Sequence, residues 1–189
     1  MTSVTSDIFK GWTLFLDRDG VINDRLVDDY VKLWDEFIFS DGVLDALKFF
    51  SSYFGTIVVV TNQQGVGKGL MTEEELRLIH EKMLSEVHAA GGRIDRVYHC
   101  TRLGSEKPFC RKPNSGMALK AKKDFPEINF KHSVMAGDSL SDMRFGKRLR
   151  MTTALISPDN QLACKHPDLT DLWFQSLSQF ADFLTNKTF

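Results

Sequence analysis

One stretch constrains this chain more than any other: Phe15-Leu16-Asp17-Arg18-Asp19-Gly20-Val21. An apolar run over residues 12–16 leads straight into two carboxylates one residue apart, and a glycine follows at once. An apolar run closed by a turn signal predicts a buried strand. The two aspartates then stand at its carboxyl end, where open α/β sheets hold their ligands. Side chains alternate along an extended chain, so Asp17 and Asp19 point the same way. Like charges placed that close repel, and a shared metal ion or proton relieves the repulsion. A solvated Asp-x-Asp turn uses the same residues, so the pair by itself leaves both readings open.

The rest of the chain repeats the pattern of strand, polar turn and helix. After the opening strand comes an acidic loop over 23–29, then an aromatic segment over 30–39 with no clean period, which predicts a packed loop. Asp41 is placed to cap a helix whose apolar residues are Val43, Leu44, Leu47 and Phe50. The β-branched run 56–60 predicts a second strand and ends in the glycine-rich polar loop 61–69. Thr72 and Glu75 form a capping box ahead of a helix with Leu76, Ile79, Met83, Leu84 and Val87 on one face, ended by Gly91-Gly92. Further strands are expected over 93–99, 133–136, 152–156 and 171–174, with helices from Ser115, after Asp142 and around Leu177 to Leu184. Strands alternating with helices imply parallel pairing with right-handed crossovers. No linker or domain boundary interrupts residues 1–189, so a single α/β domain is expected.

Composition excludes several classes. The chain has 189 residues and a net charge of −1, which gives no global electrostatic case for nucleic acid or an anionic membrane. No apolar run approaches membrane-spanning length, and residues 1–10 lack the basic start and apolar core of a signal peptide. The three cysteines, Cys100, Cys110 and Cys164, are few and odd in number. Such a count suits free thiols in a reducing cytoplasm better than a disulfide framework.

In a parallel sheet the strand ends share one rim. That rim would carry Asp17 and Asp19 from the first strand, Thr61 and Asn62 from the second, Arg111 and Lys112 from the third unit, and Asp138 and Asp142 from the fourth. Carboxylates can hold a hard divalent cation such as Mg²⁺, and a hydroxyl, a lysine and backbone N–H groups can hold phosphate oxygens. Together they describe phosphoryl transfer.

The order DRDG, TNQQG, RKP and GDSLSD resembles the haloacid dehalogenase-like phosphatases. The longer stretches FLDRDGVIN, VVTNQQGVGKG, CRKPNSGM and AGDSLSDM look like their heptose bisphosphate and histidinol-phosphate phosphatase group. The resemblance runs from about residue 12 to residue 156. It implies a Rossmann-like three-layer sandwich with a parallel central sheet and no large cap domain. It also implies roles: Asp17 as the nucleophile that forms an aspartyl phosphate, and Asp19 as acid and then base. Mg²⁺ would be held by Asp17, the backbone carbonyl of Asp19, and Asp138. Thr61, Asn62 and Lys112 would hold the transferred phosphoryl group and Arg111 the rest of the substrate, with Asp142 orienting Lys112 or a metal-bound water. Lys68 borders the site but reads as solvated.

One motif departs from the group. Its members often carry a zinc loop of three cysteines and a histidine before the RKP motif, and only Cys100 and Cys110 of that set remain here. Two thiolates cannot close a tetrahedral shell, so a metal-free loop is expected and zinc is not.

The implied activity is therefore Mg²⁺-dependent hydrolysis of a phosphorylated sugar. Heptose 1,7-bisphosphate, losing its 7-phosphate, is the leading substrate and histidinol phosphate the alternative, for a monomeric cytoplasmic protein. A 3′-phosphatase of nucleic-acid ends shares the motif order, but the balanced charge disfavours it. A non-catalytic phospho-ligand-binding protein on the same fold would be expected to lack Asp17 or Asp19, and both are present.

Overall fold

In the computed structural model, which describes residues 8–26 and 29–185, strand β1 (Thr13–Leu16) is buried along its whole length. Residues 1–7, within the stretch read as lacking a leader, and Val27 and Asp28 of the acidic loop lie outside the described residues. β1 pairs in parallel with β2 (Thr56–Asn62) on one side and β4 (Ser133–Gly137) on the other. β3 (Arg96–Cys100) lies outside β2, while β5 (Thr152–Ile156) and β6 (Leu172–Phe174) continue the sheet beyond β4. The order is β3-β2-β1-β4-β5-β6. The connection order reverses between β1 and β4, which opens a crevice at their carboxyl ends.

Helices cover both faces. α1 (Val43–Tyr53), α3 (Glu73–Ala89) and α7 (Leu177–Thr185) pack on one side, where Leu14 and Leu16 of β1 meet Leu47, Phe50, Ile79 and Phe180. Phe15 points the other way, to Met117, Ala121 and Phe145 of α4 (Gly116–Asp124) and α5 (Leu140–Arg148). A strand buried on both faces reads as an unbroken apolar run, and residues 14–16 read that way. α2 (Gln64–Gly67) is a single turn after β2, and α6 (Gln161–Lys165) lies between β5 and β6. Between β1 and α1 the described residues contain one 3₁₀ turn, Trp34–Glu36, held by stacking of Trp34 on Phe37 at 5.0 Å. No large cap is present among the described residues, and none of their helices is long and apolar enough to cross a membrane.

Three expectations need correction. The Thr72–Glu75 capping box forms, but Asp41 does not cap α1. Gly42 is the N-cap at φ 69°, and a Cβ there would lie 3.1 Å from Ser178 Oγ, so only glycine fits without strain. β3 starts at Arg96 rather than 93, because Asp95 turns its carboxylate to accept the Ile57 N–H and ends the incoming turn. Cys100 and Cys110 are not thiols: they form a disulfide. The loop folds back at the end of β3 and brings their Cα atoms to 5.5 Å, within bonding range. Cys164 is free and exposed.

Candidate active site

The turn after β1 places both aspartates on the rim. The Asp17 N–H donates to the Ala136 carbonyl at 2.9 Å, continuing the pairing with β4. Asp17 Oδ1 accepts the Arg18 N–H at 2.7 Å and pairs with Lys112 Nζ at 2.9 Å. Burial, with Asp142 next, pushes the Asp17 carboxyl up to about 8 against the pull of Lys112. Gly20 follows at φ 84°, and a Cβ there would lie 2.2 Å from Asp138 Oδ2. Glycine is what lets Asp138 approach the aspartate turn.

Asp19 is gripped on all sides. Its Oδ1 accepts from Arg18 Nη2 at 2.8 Å, Arg18 Nε at 3.2 Å and Asn23 Nδ2 at 3.1 Å, and its Oδ2 from Gln63 Nε2 at 2.7 Å. Burial raises its pKa, but Arg18, Asn23 and Gln63 outweigh burial and hold the carboxyl below its usual range.

Lys112 and Asp142 lie beneath the rim. Lys112 Nζ pairs with Asp17 Oδ1 and, at 2.6 Å, with Asp142 Oδ1. Burial opposes its charge, yet Asp142 and Asp17 raise its pKa. Asp142 Oδ2 accepts from Ser139 N and Oγ in the first turn of α5, so both its oxygens are committed. Lys112 is 2% exposed, and it neutralises Asp17 from behind rather than lining the cavity. The Asn62 side chain clamps the Lys112 backbone, accepting its N–H at 3.0 Å and donating to its carbonyl at 3.2 Å. The pair expected to touch phosphate is thus tied together from β2 to the RKP turn.

A cavity of about 520 Å³ opens over this rim, with Asp17, Asp19, Thr61, Asn62, Arg111 and Asp138 in its walls. Thr61 is buried and accepts from Gln63 at 2.8 Å. Arg111 Nη1 is buried with no hydrogen-bond partner among the described residues. Lys68, read as solvated, also lines the cavity, its Nζ 5.1 Å over the Tyr30 ring. Arg25 sits on Asp138 at 2.9 Å and opposes the effect of burial and Asp142, which raise the Asp138 pKa. The sequence reading gave no role to Gln63, Arg25 or Tyr30. Only the polar run after β2 hinted at Gln63.

Oxygens of Asp17, Asp138 and Asp142 lie within 4.8 Å of one another. Since Asp142 is committed to Lys112 and Ser139, Asp17 and Asp138 are the carboxylates left for a cation. All-oxygen donors suit a hard ion such as Mg²⁺. Arg25 places a positive charge on Asp138 in this structure.

His80 of α3 is a further buried ionisable group near the rim, its Nε2 3.1 Å from Arg18 Nη1. Burial, then Arg18, push its pKa down to about 3. A depressed histidine gives stability that is complete above the unfolded value and is lost as pH falls toward the folded one. Between pH 7 and pH 5 this amounts to about 2 kcal/mol. Asp17, shifted upward, has the opposite slope. The expected result is therefore a difference: wild type loses about 2 kcal/mol relative to His80→Gln over that interval, read by urea unfolding at each pH.

A carboxylate pair at the end of the first parallel strand, with a lysine and a third carboxylate delivered from later strands in this order, defines a haloacid dehalogenase-like hydrolase. Comparison with known proteins narrows that class. Residues 13–172 match the model of the family described as polynucleotide kinase 3 phosphatase, and the chain belongs to that family. A D-glycero-alpha-D-manno-heptose-1,7-bisphosphate 7-phosphatase of Campylobacter jejuni is 38% identical over 178 residues, 94% of this chain and 98% of the relative. One of Mycobacterium bovis is 36% identical over 170 residues, 90% of each. A crystal structure of the D,D-heptose 1,7-bisphosphate phosphatase of B. bronchiseptica, complexed with magnesium and phosphate, matches with a TM-score of 0.80 at 27% identity. That match covers 94% of this chain and 99% of the other. The chain is a phosphoric monoester hydrolase.

Proposed function

We propose that this chain removes the 7-phosphate of D-glycero-D-manno-heptose 1,7-bisphosphate. The observation that carries the reading is the cavity wall beyond the aspartates. Arg111 presents a buried N–H without a partner among the described residues, and Lys68 lines the same cavity. The other carboxylate on this wall, Asp29, is paired with Lys32, so a second phosphate on the substrate supplies an anion for Arg111 and Lys68. Histidinol phosphate brings an ammonium group instead, which these cations repel.

Asp17 attacks phosphorus and becomes the aspartyl phosphate while the sugar oxygen leaves. Its Oδ1 is held by Arg18 N–H and Lys112, which leaves Oδ2 for the attack. Asp19 gives a proton to the leaving oxygen and later takes one from the hydrolytic water. The four donors around Asp19 favour its ionised form, which suits the second task. An incoming phosphate dianion raises its pKa and suits the first. Mg²⁺, when bound by Asp17, the Asp19 carbonyl and Asp138, supplies positive charge to phosphate oxygens.

Two measurements test this. Exhaustive chelation is expected to abolish hydrolysis and Mg²⁺ to restore it, whereas Ca²⁺, with looser coordination, should inhibit. Full activity after chelation counts against Asp17 and Asp138 as ligands. Phosphate release should be fastest with the heptose 1,7-bisphosphate in a panel containing heptose 7-phosphate, histidinol phosphate and a 3′-phosphorylated oligonucleotide. Equal rates on the mono- and bisphosphate overturn the second-phosphate argument.

A further inference from the structure

We infer that Arg18 and His80 form a buried pair that positions Asp19 for proton transfer, so that a residue on helix α3 governs chemistry at the sheet's rim. The inference rests on the proposed reading of Asp19 as proton donor. Arg18 is fully buried, an expensive place for a side chain that never loses its charge. Its donors are directed. Nε and Nη2 converge on one oxygen, Asp19 Oδ1, at 3.2 and 2.8 Å. Nη1 lies 3.1 Å from His80 Nε2, and the guanidinium stands 5.9 Å from the centre of the Phe37 ring.

A guanidinium has donors only, so His80 Nε2 must accept and its proton must sit on Nδ1. His80 is thus a neutral acceptor set at the far side of the guanidinium. It lies on the buried face of α3 with Ile79 and Met83, so the ring cannot swing away. Asp19 is gripped from the other side by Asn23 and Gln63. The result is an asymmetric carboxylate. Oδ1 accepts three N–H groups and Oδ2 accepts one. Oδ2 keeps the free lone pair, so it is the oxygen that carries the proton to the leaving group. Without His80, Arg18 is held at one end only, and the orientation of Oδ2 is no longer fixed.

Positioning of an acid has a signature that general loosening of the fold does not share. Protonation of the leaving group matters when that group is a sugar alkoxide and matters little when it is p-nitrophenolate. The test measures kcat/KM, which ends at phosphoryl transfer to Asp17, for a sugar phosphate and for p-nitrophenyl phosphate. His80→Leu is expected to lower the sugar-phosphate value about 10- to 100-fold, part of what a placed acid supplies, and the aryl value less than about 3-fold. Inhibition by inorganic phosphate should not change. His80→Gln keeps a neutral acceptor on a chain of similar reach and should restore most of the sugar-phosphate rate. Arg18→Lys keeps the charge but loses the converging pair of donors, and should show the same selective loss even where His80→Leu does not fold. Equal losses on both substrates, or no loss on either, overturn the pair. Asp19→Asn separates the two levels. A uniform loss in that variant removes the reading of Asp19 as acid, while a selective loss there with a uniform loss in His80→Leu removes the positioning pair alone.

Discussion

Asp17→Asn is expected to abolish steady-state hydrolysis, by about 10⁴-fold or more, without loosening the fold. An amide oxygen cannot form the acyl phosphate that a carboxylate forms. The replacement has nearly the same shape, and its Oδ1 still accepts from the Arg18 N–H and from Lys112, the two groups on Asp17 now. The stability expectation has a definite sign. The Asp17 carboxyl is raised from 3.8 to about 8, so the native metal-free protein holds a proton there that the unfolded chain releases. Metal-free wild type therefore loses stability as pH rises through that interval, and the uncharged asparagine does not. In chelator, Asp17→Asn should unfold at a urea concentration no lower than wild type at pH 5 and higher at pH 8. Hydrolysis near the wild-type rate rejects Asp17 as nucleophile. A large stability loss at every pH shows that its carboxylate is needed for the fold as well.

The rim of the sheet is legible in the sequence because each buried strand stops abruptly at polar residues. Asp17, Thr61 and Asp138 follow apolar runs that no other element accounts for, and parallel pairing then gathers them without further information. What local sequence does not carry is who partners whom across elements. Arg18 reads as a cation between two acids, and nothing near it announces an acceptor 62 positions away on α3. Asn62 reads as a phosphate ligand, yet its side chain is used to fix the Lys112 backbone. Cys100 and Cys110 read as unpaired because the chain's cysteines are three, few and odd in number, while the return of the loop beside β3 decides their pairing. Asp41 obeys the usual capping preference, yet the helix starts one residue later, with Gly42 in the left-handed region as the N-cap. Short-range rules place the strand ends, whereas long-range packing assigns the contacts that set charge and orientation there.

Lys112→Met is expected to damage activity and stability together, and the stability loss should depend on pH. Lys112 is the buried cation between Asp17 and Asp142, at 2.9 and 2.6 Å. Methionine fills a similar volume but leaves two carboxylates facing each other in a dry place. Removing one partner of a buried ionic cluster destabilises by about 3–5 kcal/mol, because the remaining charges lose compensation. Lys112 lowers the Asp17 pKa in the native metal-free protein, so without it the native state keeps the Asp17 proton to a higher pH than wild type does. The variant's deficit should therefore stay level between pH 5 and 7 and widen from about pH 8 upward, seen in metal-free protein as diverging urea midpoints. Turnover should fall about 10²- to 10³-fold, the scale of losing one preorganised positive group beside developing charge. A variant as stable as wild type at pH 8 shows that Lys112 does not neutralise this pair. A stable but fully active variant shows that the charge beneath Asp17 is not part of catalysis.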